Sequence, residues 1–226
     1  MTNAYKLPDS YLALDLETNG LPKKGDFSAV DITEIGWVEV VDRKIVSERN
    51  WLCKPVDKDG KQIPQTAKIV EITGITDELL ASQMNTINVM GLVLPILLHE
   101  DLPLIGSNII GFDKHLLDKY CDLLGLPLIN NRRYIDNAAL FKSYRRAHSN
   151  GHSNWDMPLN QDTFYEWAKA ILAFSWRQDK IKYNVDAALG YLAIPLFGIT
   201  GNRHRAVFDC KCCNLIVEKL REEMGI

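Results

Sequence analysis

Two acids at the end of one apolar run limit the fold of this chain more than any other feature. Tyr11 to Leu16 reads as a buried first strand, and the run closes Leu14-Asp15-Leu16-Glu17-Thr18. Side chains two apart on a strand share a face. Asp15 and Glu17 therefore point one way, while Leu14 and Leu16 pack the other. Two neighbouring carboxylates repel each other and resist burial. Either the strand end is open and both acids are solvated, or a divalent cation sits between them. The pair alone leaves both readings open.

The rest of the chain supplies a setting for that strand. Ile32 to Val41 and Lys44 to Cys53 are rich in β-branched and aromatic residues, and Asp42-Arg43 between them makes a hairpin. Asp57 to Gln65 is a loop. Thr86 to Leu98 has helical spacing, which Pro95 is expected to kink or shorten. Leu102 to Ser107 and Arg133 to Asp136 read as strands. Lys114 to Leu124, Asn137 to Arg146, Thr163 to Trp176, Asn184 to Leu192 and Arg205 to Glu223 read as helices. Three strands followed by alternating helices and strands predict an α/β fold, a mixed sheet flanked by helices on both faces. With 226 residues, 46% of them hydrophobic, the chain suits one domain better than two.

Two further stretches carry candidate chemistry. Leu104 to Asp113 is an apolar strand followed by Asn108 and Gly111, with Asp113 at a helix start. Asp113 alone is either a metal ligand or a helix N-cap. His204-Arg205-Ala206-Val207-Phe208-Asp209 opens the last helix. Its spacing puts His204 in the loop and Asp209 in the helix, so the ring can swing over a site that Asp209 faces. Alone, the two are equally readable as a capping His and a solvated Asp.

Together the three stretches resemble, in order and spacing, the motifs of the DEDDh (DnaQ-like) 3′→5′ exonucleases. Asp15 and Glu17 match the Asp-x-Glu of the first motif. Asn108 to Asp113 matches the Asn-x-x-x-Phe-Asp of the second, and His204 and Asp209 match the His-x-x-x-x-Asp of the third. Ile72 to Thr76 resembles the family's segment between the first two motifs, and Tyr134-Ile135-Asp136 with Leu140 resembles its strand and helix after the second. The resemblance spans Tyr11 to Leu220. It implies a ribonuclease H-like sheet, three antiparallel strands and then parallel ones, and two divalent cations, Mg²⁺ or Mn²⁺. Asp15, Glu17, Asp113 and Asp209 would hold them, with His204 as general base. Hard carboxylate oxygens suit those ions, and an imidazole suits proton transfer near neutral pH. The implied activity is 3′→5′ hydrolysis of single-stranded nucleic acid, DNA slightly ahead of RNA, releasing 5′-mononucleotides. The alternative is a non-catalytic subunit of the same fold that binds nucleic acid or a polymerase.

By the same resemblance, Thr18, Asn19, Gly20 and Leu21 lie along the terminal nucleotide, and Asn108, Phe112 and Ile75 complete its pocket. From about 147 to 182 the chain is longer than a compact relative needs, as a helical insertion. Residues 142 to 182 hold seven Lys/Arg against four Asp/Glu, and three of the five tryptophans, Trp155, Trp167 and Trp176. Basic residues interleaved with aromatics can bind a strand. Trp167 fits a core stripe with Phe164, Ile171 and Phe174, while Arg145, Arg146, Arg177, Lys180 and Lys182 are candidates to face nucleic acid or a partner.

A net charge of -3 gives no sign of a passive nucleic-acid coat. Cys210, Cys212 and Cys213 invite a zinc reading, but two of them lie on the apolar stripe of the last helix and no second ligand pair matches. Five cysteines, no apolar leader and no run long enough to span a membrane lead to an expectation of a reduced, cytoplasmic protein. A polymerase subunit or a second copy of the chain is the expected protein partner.

Overall fold

A computed structural model describes residues 5–149, 157–158, 160–173 and 182–226. Strands β1 (Tyr11–Thr18), β2 (Ile32–Val41) and β3 (Lys44–Leu52) form the antiparallel part of the sheet. Asp42 and Arg43 turn the β2–β3 hairpin, both with positive φ, as a tight hairpin turn demands. Strands β4 (Leu104–Gly106) and β5 (Tyr134–Asp136) then add in parallel beside β1. The sheet order is β3-β2-β1-β4-β5, so β1 is central.

Helices α1 (Ala67–Thr73), α2 (Asp77–Ala81) and α3 (Thr86–His99) follow β3. Helix α4 (Asp113–Leu124) joins β4 towards β5. Then come α5 (Asn137–Ser149), α6 (Gln161–Ala173), α7 (Val185–Tyr191) and α8 (Ala206–Met224). Tyr11, Leu12, Ala13 and Leu14 are all buried, so β1 is covered on both faces. Helix α8 covers one of them: the Tyr11 hydroxyl donates to Asn214 Oδ1 at 2.7 Å. Central strands buried on both faces read as unbroken apolar runs, and β1 does so until its two acids.

Helix α3 runs through Pro95 as one element, where the sequence led to an expected kink or shortening. The carbonyl that the proline ring crowds belongs to Gly91, whose backbone can tilt at least cost. Leu94 and Leu97, fully buried, hold the helix down around the proline. The short helices α1 and α2 fall where the sequence shows no long periodic stripe. Their Thr66 and Thr76 N-caps each accept a backbone N–H. The basic, aromatic stretch is described only in part. Phe164 and Ile171 are buried and Trp167 packs against the core. Trp155, Phe174, Trp176, Arg177 and Lys180 lie outside the described residues. No described helix is long and apolar enough to cross a membrane.

Candidate active site

The acids of β1 meet the last helix because of two residues on β2. Gly36 pairs with Asp15 across the ladder. A Cβ at Gly36 would stand 3.0 Å from Ala206 Cβ and 3.1 Å from the Val207 amide nitrogen. A side chain there would force the start of α8 to give by a few tenths of an ångström. Glu34, fully buried, fixes that start. It accepts the Ala206 N–H at 3.0 Å and pairs with Arg205 at 2.6 Å. Arg205 is the N-cap residue and makes no cap of its own, so Glu34 satisfies an amide the helix leaves open. With the first turn anchored, Asp209 reaches the β1 acids. Asp15, Glu17 and Asp209 each offer an oxygen, and these lie within 4.8 Å of one another.

Asp113 arrives from the neighbouring parallel strand. Beyond β4 the chain turns through Asn108, held at a φ of 62°. Asp136, buried at the end of β5, accepts the Asn108 and Ile110 amides at 3.0 Å each and the Ala138 amide at 3.0 Å. One carboxylate thus ties down the loop and starts α5. Asp113 is the first residue of α4 rather than its cap. Its Oδ1 accepts the Leu16 N–H of β1 at 3.1 Å, which brings the fourth acid alongside Asp15 and Glu17.

All four acids and His204 line one open cavity of about 400 Å³. His204 sits at a φ of 59°, and its Nδ1 lies 3.9 Å from Asp209 Oδ2. Burial pushes the Asp15 carboxyl well above the usual range, and Glu17, Asp113 and Asp209 push it further. Burial and then Asp209 raise Glu17 to about 8. Asp113 and Asp209 are also raised, chiefly by burial. Burial lifts Asp136 to about 6 against the pull of its backbone donors. A site that crowds four carboxylates together, with Arg203 the one guanidinium among the described residues of its wall, is short of positive charge. Hard oxygen donors at this spacing fit divalent cations of the Mg²⁺ or Mn²⁺ kind, so the residues suit the metals that the sequence implied.

The other expected residues divide. Leu21, Asn108 and Phe112 line the cavity, and Leu21 is 76% exposed. The Thr18 hydroxyl donates to the Gly20 carbonyl, and Asn19 Oδ1 accepts the Asp31 amide, so both side chains hold the turn after β1. Gly20 has no heavy atom within 4 Å of an added Cβ; its φ is not in the left-handed region, so the need for glycine there is not structural. Ile75 is fully buried and takes no part in the cavity wall. Arg145 and Arg146 are also away from that wall. Arg145 lies over the Tyr191 ring at 4.8 Å and donates to the Lys182 carbonyl, beside the segment from Tyr183 to Asp186 that closes one side of the cavity.

Four residues were not legible beforehand: Glu34, Gly36, Asp186 and Arg203. Arg203 pairs with Asp209 and, at 2.8 Å, with Asp186. Its place next to His204 was the only local signal. The five cysteines are free and buried; Cys210 and Cys213 are core residues of α8. Among the described residues, the acids are the one set grouped closely enough to share an ion.

No family model and no curated protein matches the chain. Solved structures do. Exonuclease X, in complex with 5′ overhanging duplex DNA, is 19% identical, with a TM-score of 0.58 over 96% of this chain and 93% of its own. The nuclease domain of 3′hExo, a DEDDh family member bound to rAMP, is 15% identical, with a TM-score of 0.59 over 97% and 94%. E. coli Exonuclease I, in complex with a dA16 oligonucleotide, is 13% identical, with a TM-score of 0.67 over 96% of this chain. The chain spans 42% of the Exonuclease I chain. In sheet order, strand direction and flanking helices, the chain has the ribonuclease H-like fold of the DEDDh exonuclease domains.

Proposed function

We propose that this chain is a metal-dependent 3′→5′ exonuclease that removes 5′-mononucleotides from single-stranded 3′ ends. The observation that carries the reading is the convergence of Asp15, Glu17, Asp113, Asp209 and His204 from three separate segments on one open cavity. A fold alone does not specify chemistry; this set of side chains does. Two divalent cations, when bound, would neutralise the scissile phosphate and the leaving 3′ oxygen and lower the pKa of water.

The chain's own residues would do the rest. Asp15, Glu17, Asp113 and Asp209 would hold the ions; by the family resemblance, Asp15 would serve both, Glu17 and Asp209 would complete the donor set of one, and Asp113 would serve the other. His204 takes a proton from the attacking water. Its loop position gives the ring freedom to follow the substrate. Leu21 and Phe112 are apolar surfaces on which a terminal base can pack, and Asn108 offers polar contact beside them. The single domain, with a helical insertion around 147 to 182, is part of the same proposal, as is DNA ahead of RNA. Exonuclease X and Exonuclease I bind DNA in the solved complexes, while a 3′-exonuclease of this fold binds a histone mRNA stem-loop.

Degradation of matched 5′-labelled single-stranded DNA and RNA in Mg²⁺, Mn²⁺ and EDTA tests the reading. A ladder shortening from the 3′ end, present with metal and absent in chelator, is the expected result, with DNA the faster substrate. No shortening of either polymer by folded protein in either metal would leave the non-catalytic subunit as the better reading.

A further inference from the structure

Arg203 is the guanidinium among the acids of the cavity. It pairs with Asp209, a member of the group of three acids close enough to share an ion, and on its other side with Asp186 at 2.8 Å. Asp186 belongs to the opposite wall, in the first turn of α7, and its side chain is 60% exposed where that of Asp209 is 9% exposed. Arg203 is itself about three-quarters buried. The other nearby guanidinium, Arg205, is taken up by buried Glu34.

We infer that Arg203 is a tethered counter-ion of the metal site: its guanidinium occupies Asp209 in the metal-free protein, a divalent cation must displace it, and Asp186 keeps it on release. This rests on the metal-dependent reading above. The physical argument is competition. A divalent cation bound to Asp209 repels a guanidinium held against the same buried carboxylate. A guanidinium and a divalent cation also answer the same surplus of negative charge. Because the guanidinium already holds Asp186, it can leave Asp209 without entering water unpaired. No bond is made or broken in this exchange.

The test is direct Mn²⁺ binding, by calorimetry or by the loss of free-ion resonance signal, in wild type, Arg203→Gln, Asp186→Asn and the double variant. Arg203→Gln should bind Mn²⁺ about tenfold more tightly, as expected when a charge-assisted competitor is lost. Asp186→Asn should bind it more weakly, because the displaced guanidinium loses its resting place. The double variant should match Arg203→Gln, since Asp186 acts through Arg203. In chelator, Arg203→Gln should melt below wild type, and saturating Mn²⁺ should remove the gap. Equal or weaker Mn²⁺ binding by Arg203→Gln overturns the inference while leaving the metal site intact. Absence of Mn²⁺ binding in wild type overturns the metal reading and the inference together. If Arg203→Gln does not fold without metal, Asp186→Asn still decides: unchanged or tighter Mn²⁺ binding contradicts the exchange.

Discussion

His204 is held by a left-handed backbone at the lip of the cavity, with its nearer ring nitrogen too far from Asp209 for a hydrogen bond. A side chain placed this way contributes little to packing, and in the proposed mechanism its task is proton transfer. His204→Ala should therefore cut kcat by about 100- to 10,000-fold, the usual share of a general base, with Mn²⁺ affinity and melting temperature close to wild type. Matched calorimetry and single-turnover kinetics would check this; a large loss of metal affinity would instead make His204 a ligand. Asp15, Glu17, Asp113, His204 and Asp209 could be singled out in the sequence as candidates because three stretches, each open to a plain reading alone, together resemble the motifs of one family; the structure brings them to one cavity. Arg203, Glu34 and Gly36 could not be singled out. Glu34 meets Arg205 across 171 residues of chain, and no local pattern marks a pairing of that range.

At the scale of elements, the placement of Asp209 depends on how closely α8 sits on β2. Gly36→Ala would put a methyl against Ala206 and the Val207 backbone, so the first turn of α8 must give by a few tenths of an ångström. Misplacing a reacting group by about 1 Å can cost about 100-fold in rate. Gly36→Ala should lower activity by less than that, about three- to tenfold, while shifting the melting temperature little, because the rest of α8 stays buried along its length. Parallel activity and thermal-melt measurements would check it; full activity would show that the contact is dispensable. The long, strongly patterned elements followed the sequence closely: β2 has the expected bounds, α4 differs by a residue at one end and α8 by a residue at each. The short strands are shorter than expected: β4 and β5 have three residues each, where the sequence led to six and four. Helices α1 and α2 owe their existence to threonine caps, and too few turns follow to show a periodic stripe.

The whole molecule carries the acid cluster as a pH-dependent cost. Glu17 has an unfolded value near 4.5 and a folded value of about 8, and Asp15, Asp113 and Asp209 move the same way. Across that window the folded chain binds more protons than the unfolded one. Stability of the metal-free protein is then highest at the acid end and falls as pH rises, by up to about 1.4 kcal/mol per pH unit for each retained proton. Bound metal reverses the trend, since ligands must release protons to bind it, and a ligand of the folded state stabilises it by mass action. Melting curves from pH 5.5 to 8.5 should show a falling midpoint in EDTA and a gap to the Mn²⁺ form that widens with pH. Parallel curves at all pH values would count against an acid cluster that holds ions.

Asp15 lies at the middle of the proposed centre, in the cavity and in the group of acids close enough to share an ion. The most direct test is release of 5′-mononucleotides from the 3′ end of 5′-labelled single-stranded DNA in Mn²⁺, by wild type and by Asp15→Ala shown to be folded. Mononucleotide release by wild type and its loss by at least about 1,000-fold in the variant, a scale set by removal of an essential catalytic group, is the predicted result. Equal release by the two proteins would contradict a metal-dependent exonuclease centred on these acids.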